Sequence, residues 1–151
     1  MKRIVYLLLS LILLVTMSPL ALAAEQKETT QIIYYEDGSS LEIAIVQADT
    51  RSSNTTSGRK TFTYKDSSGN TDWIAVLTGS YIHDGTTANC TYADCQITIY
   101  DTAYYVVSKS AEKNGASATT TFTIGRTVLG FTVAKDTHTI NLTCSPDGKL
   151  S

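Results

Sequence analysis

The chain has 151 residues, with 12 Lys and Arg against 14 Asp and Glu, and 42% of its residues are hydrophobic. That length suits a single domain. The acid surplus and the lack of clustered Lys and Arg argue against nucleic acid as a partner, because neutralising phosphates takes such clusters.

Lys2 and Arg3 precede an apolar run from Ile4 to Val15 that only Ser10 interrupts, and Ala21-Leu22-Ala23 supplies an A-x-A cleavage site. The pattern predicts a signal peptide over residues 1–23. A run of about 12 residues is short of the roughly 20 that span a bilayer. Ala24 in place of a lipoprotein Cys, and the polar ending Asp147-Gly148-Lys149-Leu150-Ser151, predict a secreted, soluble domain over residues 24–151 with no membrane association after cleavage. Cleavage would leave ten basic and fourteen acidic residues, with 23 Thr and 13 Ser.

Residues 24–31 are polar and are expected to be loose at the new terminus. Ile33–Tyr35 and Leu41–Val46 flank Glu36-Asp37-Gly38-Ser39-Ser40, which reads as a hairpin. Asp49–Gly58 is almost free of apolar residues and reads as a loop; Phe62 and Tyr64 then alternate with Thr, and Asp66–Asn70 reads as a second hairpin turn. From Asp72 to His83, Trp73, Ala75, Leu77, Gly79 and Tyr81 share one side of a strand, and Ile74 and Val76 on the other side mark it as central. Asp84–Asp94 is rich in turn residues and Lys109–Ser117 reads as a connection. Ile97 and Ile99, Tyr104–Val107, Phe122 and Ile124, Leu129, Phe131 and Val133, and Ile140, Leu142 and Cys144 continue the period-two pattern. Thr fills the intervening positions, where its β-branch favours extended backbone and its hydroxyl stays wet. Eight or nine short strands without a helical period predict an all-β fold, an antiparallel β-sandwich of immunoglobulin-like architecture, with a small β-barrel as the alternative.

Cys90, Cys95 and Cys144 allow one internal bridge and leave one thiol over. Cys144 shares the parity of Ile140 and Leu142, whereas Cys90 and Cys95 read as flanking a loop. A Cys90–Cys144 bridge closes about 55 residues and is worth roughly 4 kcal/mol, against about 2 for Cys90–Cys95. The long pair is favoured, with Cys95 as the free thiol, able to join two chains; three reduced thiols are the alternative. Three thiols and two distant His do not reproduce a zinc spacing, so neither metal nor cofactor is expected.

Several stretches together resemble a group of small secreted β-rich proteins of Gram-positive bacteria. They are Tyr35-Glu36-Asp37-Gly38-Ser39, Gly58-Arg59-Lys60, Trp73 with Leu77-Thr78-Gly79-Ser80-Tyr81, Asp84-Gly85, Cys90-Thr91, Asp101-Thr102-Ala103-Tyr104-Tyr105, Gly125-Arg126, and Leu142-Thr143-Cys144 through Gly148-Lys149-Leu150-Ser151. The resemblance implies Cys90 and Cys144 as the pair and carries over no catalytic residue. The chain departs from the group at position 104, where similar proteins have Trp.

Neither His83 nor His138 lies in a metalloprotease H-E-x-x-H or near a G-x-S-x-G elbow. His83-Asp84-Gly85 reads first as a turn and only second as an acid–base pair, and His138, between two Thr, is expected to face solvent. Asp66–Asp72 carries oxygen side chains around a Gly, but without EF-hand spacing it reads as a turn before a calcium loop. Trp73 is expected in the core. In Tyr34-Tyr35 and Tyr104-Tyr105 one ring of each pair should face outward, where it suits stacking on sugar or peptide. The expected role is therefore a non-catalytic extracellular binding module for a cell-surface glycan or protein, with Tyr35, Tyr104, Tyr105 and His83 as ligand contacts. The alternatives are an antagonist of another exported protein and, behind it, a hydrolase using His83 and Asp84.

Overall fold

The computed structural model describes residues 26–48 and 54–151. The signal peptide read in residues 1–23, and residues 49–53 of the first loop, lie outside the described residues. Eight strands follow: β1 (Gln26–Tyr34), β2 (Ser40–Ala48), β3 (Thr55–Lys65), β4 (Thr71–His83), β5 (Ala88–Ile99), β6 (Tyr104–Asn114), β7 (Ser117–Val128) and β8 (Phe131–Thr143). They form two antiparallel sheets, β1-β2-β3-β4-β5 and β6-β7-β8, which do not close into a barrel. The expected sandwich is thus the fold. Within each sheet every hydrogen-bonded neighbour is also the neighbour in sequence.

Alternation decides which face is buried. Trp73, Ala75, Leu77 and Tyr81 of β4 point at the second sheet together with Leu41, and meet Ala118, Phe122, Ile124, Ile140, Leu142 and Cys144. β4, as read, is the best-buried strand. The outer face of the second sheet carries Thr pairs that hydrogen bond across strands, Thr123 to Thr137 at 2.8 Å and Thr121 to Thr139 at 3.3 Å, so hydroxyl groups cover the strands where water is the neighbour.

The structure corrects several boundaries. β1 begins at Gln26, because its polar residues pair along the whole of β2 up to Ala48, where ladder hydrogen bonds outweigh the lack of apolar side chains. Thr55–Gly58 belong to β3. Asp84–Asp94 is mostly strand: after a turn closed by Asp84 N–H donating to Thr87 O at 3.1 Å, β5 starts at Ala88. Lys109–Asn114 extend β6, and Lys109 and Lys113 reach back to donate to the carbonyls of Cys95 and Thr91 at 2.9 and 3.1 Å. Leu129, Phe131 and Val133, read as an inward-facing strand, are exposed at the β7–β8 tip.

The thiols are also rearranged. Cys90 and Cys95 lie within β5 and both face the core, because Thr91 is an extra residue between the Ser80–Tyr92 and Tyr81–Cys90 pairs and such a bulge reverses the side-chain parity. Cys90 N–H donates to Gly115 O and Cys144 N–H to Ala116 O, so both thiols flank the β6–β7 turn. The expected bridge is nonetheless not formed: all three cysteines are free and buried. Cys90 donates its thiol to Tyr92 O at 3.2 Å and Cys144 to Ser145 O at 3.4 Å. Burial of Cys95 also removes it from any bridge between chains.

Candidate functional site

One end of the sandwich is formed by the β1–β2 and β3–β4 turns, the β5–β6 connection and the β7–β8 hairpin. Here the inner faces part around a cleft of about 460 Å³, within the range of small-molecule sites. Its floor is aromatic. Tyr64 and Trp73 are directly paired across β3 and β4, and their rings stack at 5.5 Å with planes 8° apart. Tyr104 meets Tyr64 edge-on at 6.2 Å and Tyr35 leans over it at 6.3 Å. Arg126 of β7 places its guanidinium 5.6 Å from the Tyr104 ring centre, a cation–π distance.

Each ring is held by its local chain. Tyr35 opens a turn in which its own N–H donates to Ser39 O at 2.9 Å and Gly38 N–H donates to Tyr35 O at 3.1 Å. Asp37 locks that turn by accepting from Ser39 N–H at 3.0 Å and Ser39 Oγ at 2.6 Å. These hydrogen bonds hold its carboxyl below the usual range, so it is ionised at the cleft rim. Tyr104 follows a turn in which Asp101 O accepts from its N–H at 3.0 Å. Burial, with the Asp72 charge adding to it, pushes the Tyr104 phenol well up, and it remains a neutral donor. Burial likewise raises Tyr35, reinforced by Tyr64, Asp136 and Asp37.

His138 corrects the sequence reading. It does not face solvent but sits 5.2 Å from the Trp73 ring and 5.3 Å from Phe122. It has the parity of Ile140 and Leu142, a signal available in the sequence and masked there by the flanking Thr. Burial lowers its pKa, with the Asp136 charge opposing. Tyr64, Arg126 and Asp136 also line the cleft; the sequence marks Arg126 only as part of the resemblance and gives none of the three a site role.

The four expected ligand contacts therefore separate. Tyr35 and Tyr104 line the cleft. Tyr105 turns to the outer face, where it lies over Gly125, whose added Cβ would come within 2.4 Å of the ring, and hydrogen bonds with Thr132 Oγ1 at 2.9 Å. His83 is at the opposite end, about ten residues along β4 from Trp73, or roughly 33 Å of strand. There it hydrogen bonds with Thr56 Oγ1 at 3.2 Å, beside Gly148. The His83–Asp84 pair is not assembled, because Asp84 accepts instead from Thr86 N–H at 2.9 Å and Thr87 N–H at 2.7 Å. Asp66 is similarly occupied by its own turn, accepting from Ser68 N–H and Asn70 N–H, both at 2.8 Å. Among the described residues no three His, Cys, Asp or Glu side chains are grouped to hold a metal ion.

Chemically, the cleft offers stacked aromatic surface at its base, one guanidinium, and carboxylates from Asp37 and Asp136 at its rim. Rings of this kind take the apolar face of a sugar, and the charged groups take hydroxyls in the ring plane. Compared with models of protein families, with curated proteins and with solved structures, the chain matches none.

Proposed function

We propose that this is a non-catalytic, extracellular binding module that holds a sugar unit of a surface glycan in the cleft at the Trp73 end. The observation that carries the reading is the convergence of Tyr35, Tyr64 and Tyr104, from three distant stretches of chain, with Arg126 and Asp136 around one open cleft. The export signal read in residues 1–23 supports action outside the cell. The test is glycan-array binding followed by calorimetry. Wild-type protein should bind a subset of glycans, and Tyr35→Ala and Arg126→Ala should each weaken binding by about tenfold or more, as loss of a stacking ring or a charge-assisted hydrogen bond does. Both side chains are partly exposed, so the variants should keep the wild-type urea transition. A blank array with wild-type protein would remove the reading and leave the antagonist role as the one to pursue, by co-purification from culture supernatant. The hydrolase reading keeps only His83, and His83→Ala leaving a detected activity intact would end it.

A further inference from the structure

The β7–β8 tip departs from what its turn geometry prefers. Val128 pairs with Phe131, so Leu129 and Gly130 form a two-residue turn with both φ angles positive, 51° and 83°. That turn selects Asn-Gly, and a Leu in the left-handed region is strained. The strained Leu129 is 93% exposed, and Phe131, Val133 and Val128 beside it are 76%, 57% and 48% exposed. From Thr127 to Ala134 there is no charged residue, and the stretch is bounded by Arg126 and Lys135. Val133 is an extra residue between the Arg126–Ala134 and Thr127–Thr132 pairs, a bulge that re-aims the tip. Because Arg126 and Ala134 still line the cleft, the three residues beyond Arg126 carry the tip about 10 Å further. That is comparable to the depth at which apolar side chains sit in the boundary between lipid headgroups and acyl chains. Tyr34, 77% exposed, and Tyr100, 60% exposed, stand at the same end, where rings with a hydroxyl suit a membrane interface.

We propose that the β7–β8 hairpin docks the domain on a bilayer of zwitterionic, phosphocholine-headed lipid. Leu129 and Phe131 enter the acyl boundary, and Lys135 lies level with the lipid phosphates. Charge selects the lipid class. Glu36, Asp37, Asp66, Asp101 and Asp136 outnumber Lys65, Arg126 and Lys135 at this end, so a net anionic surface is repelled while the apolar tip still inserts. The docking revises the expectation of a chain with no membrane contact after cleavage, and it stands on the hairpin and the charges of the turns around it, whatever the cleft holds.

Vesicle flotation of the purified protein tests it. Wild-type protein should float with phosphatidylcholine vesicles at both low and high salt, and less with phosphatidylglycerol vesicles. Leu129→Asn should lower partitioning by about tenfold or more and at the same time raise Tm, because Asn suits the turn; misfolding therefore cannot account for the loss. Phe131→Ser should lower partitioning similarly with an unchanged urea transition. No flotation with phosphatidylcholine, flotation unaffected by both variants, or a preference for phosphatidylglycerol abolished by salt would each overturn the proposal. So would a concentration-dependent dimer abolished by Leu129→Asn in protein that does not float, which would make a second copy of the chain the cover for the tip.

Discussion

Tyr81 ties the two sheets together through a single buried atom. Its hydroxyl donates to Leu142 O at 2.6 Å, and its ring lies over Gly79, where an added Cβ would come within 2.4 Å of the hydroxyl oxygen. Tyr81→Phe removes the phenol's hydrogen bond to a carbonyl that β7 also pairs, at a cost of about 0.5–1.5 kcal/mol, readable as a lower urea midpoint with an unchanged slope. A midpoint equal to wild type would show that this second bond to the carbonyl contributes nothing net. His138 sets a pH response. Burial against Trp73 and Phe122 holds its folded pKa below the ordinary value of 6.5, so the unfolded chain binds this proton at a higher pH than the folded chain does. The stability linked to this ring is therefore full above about pH 6.5 and is lost as pH falls toward the folded pKa. Tm should drop as pH falls below about 7, and His138→Phe should flatten that drop. An equally steep profile in the variant would trace it to another group.

At the scale of single strands, β5 and β8 show what alternation conveys and what bulges hide. Ile140 and Leu142 are buried as their spacing requires, and His138 follows the same parity inward. The extra residues Thr91, Val107 and Val133 each break the count, and a one-residue slip sends every later side chain to the other face. That is why Cys90 points inward along with Cys95. Burial pushes the Cys90 and Cys144 thiols up, so the reactive thiolate is scarce at neutral pH. Alkylation of the folded protein should be slow at all three thiols, and alkylation in denaturant should add three adducts by intact mass. A single adduct would instead report one bridge and two cysteines removed from the count. β6 was misread for another reason. Its Lys, Ser, Glu and Asn side chains resemble a loop, but the main chain pairs with β7 through to Asn114 and Ser117.

Across the whole molecule, the end opposite the cleft is closed by the last residues of the chain. Gln47 holds them with both ends of its amide: Nε2 donates to Gly148 O and Leu150 N–H donates to Oε1, each at 3.0 Å. Thr56 Oγ1 also donates to Gly148 O, at 3.1 Å, and Gly148 has φ +83° with His83 Nε2 2.6 Å from where a Cβ would be. His83 is thus packed into this latch. Gln47→Ala removes two hydrogen bonds and should cost about 1–3 kcal/mol of stability, measured in urea, while leaving glycan binding at the far end unchanged. Reduced glycan affinity in that variant would mean that the two ends are coupled.

The all-β class, the central position of β4 and the burial of Trp73, Ala75, Leu77 and Tyr81 were legible because period-two alternation is local: it survives in any window of a few residues. Adjacent Tyr104 and Tyr105 split between faces as alternation requires, but the ring that lines the cleft is the inward Tyr104 and not the outward Tyr105, the reverse of the side on which the sequence places a ligand. Nothing local tells Tyr35 that Arg126 and Asp136 will lie across from it, because that meeting depends on which strands pair and where bulges shift them. Nor does an apolar Leu129-Gly130-Phe131 announce that it will stand in water. Its side chains carry the pattern of a core, and they are exposed because the hairpin runs past the end of the sheet that would have covered them.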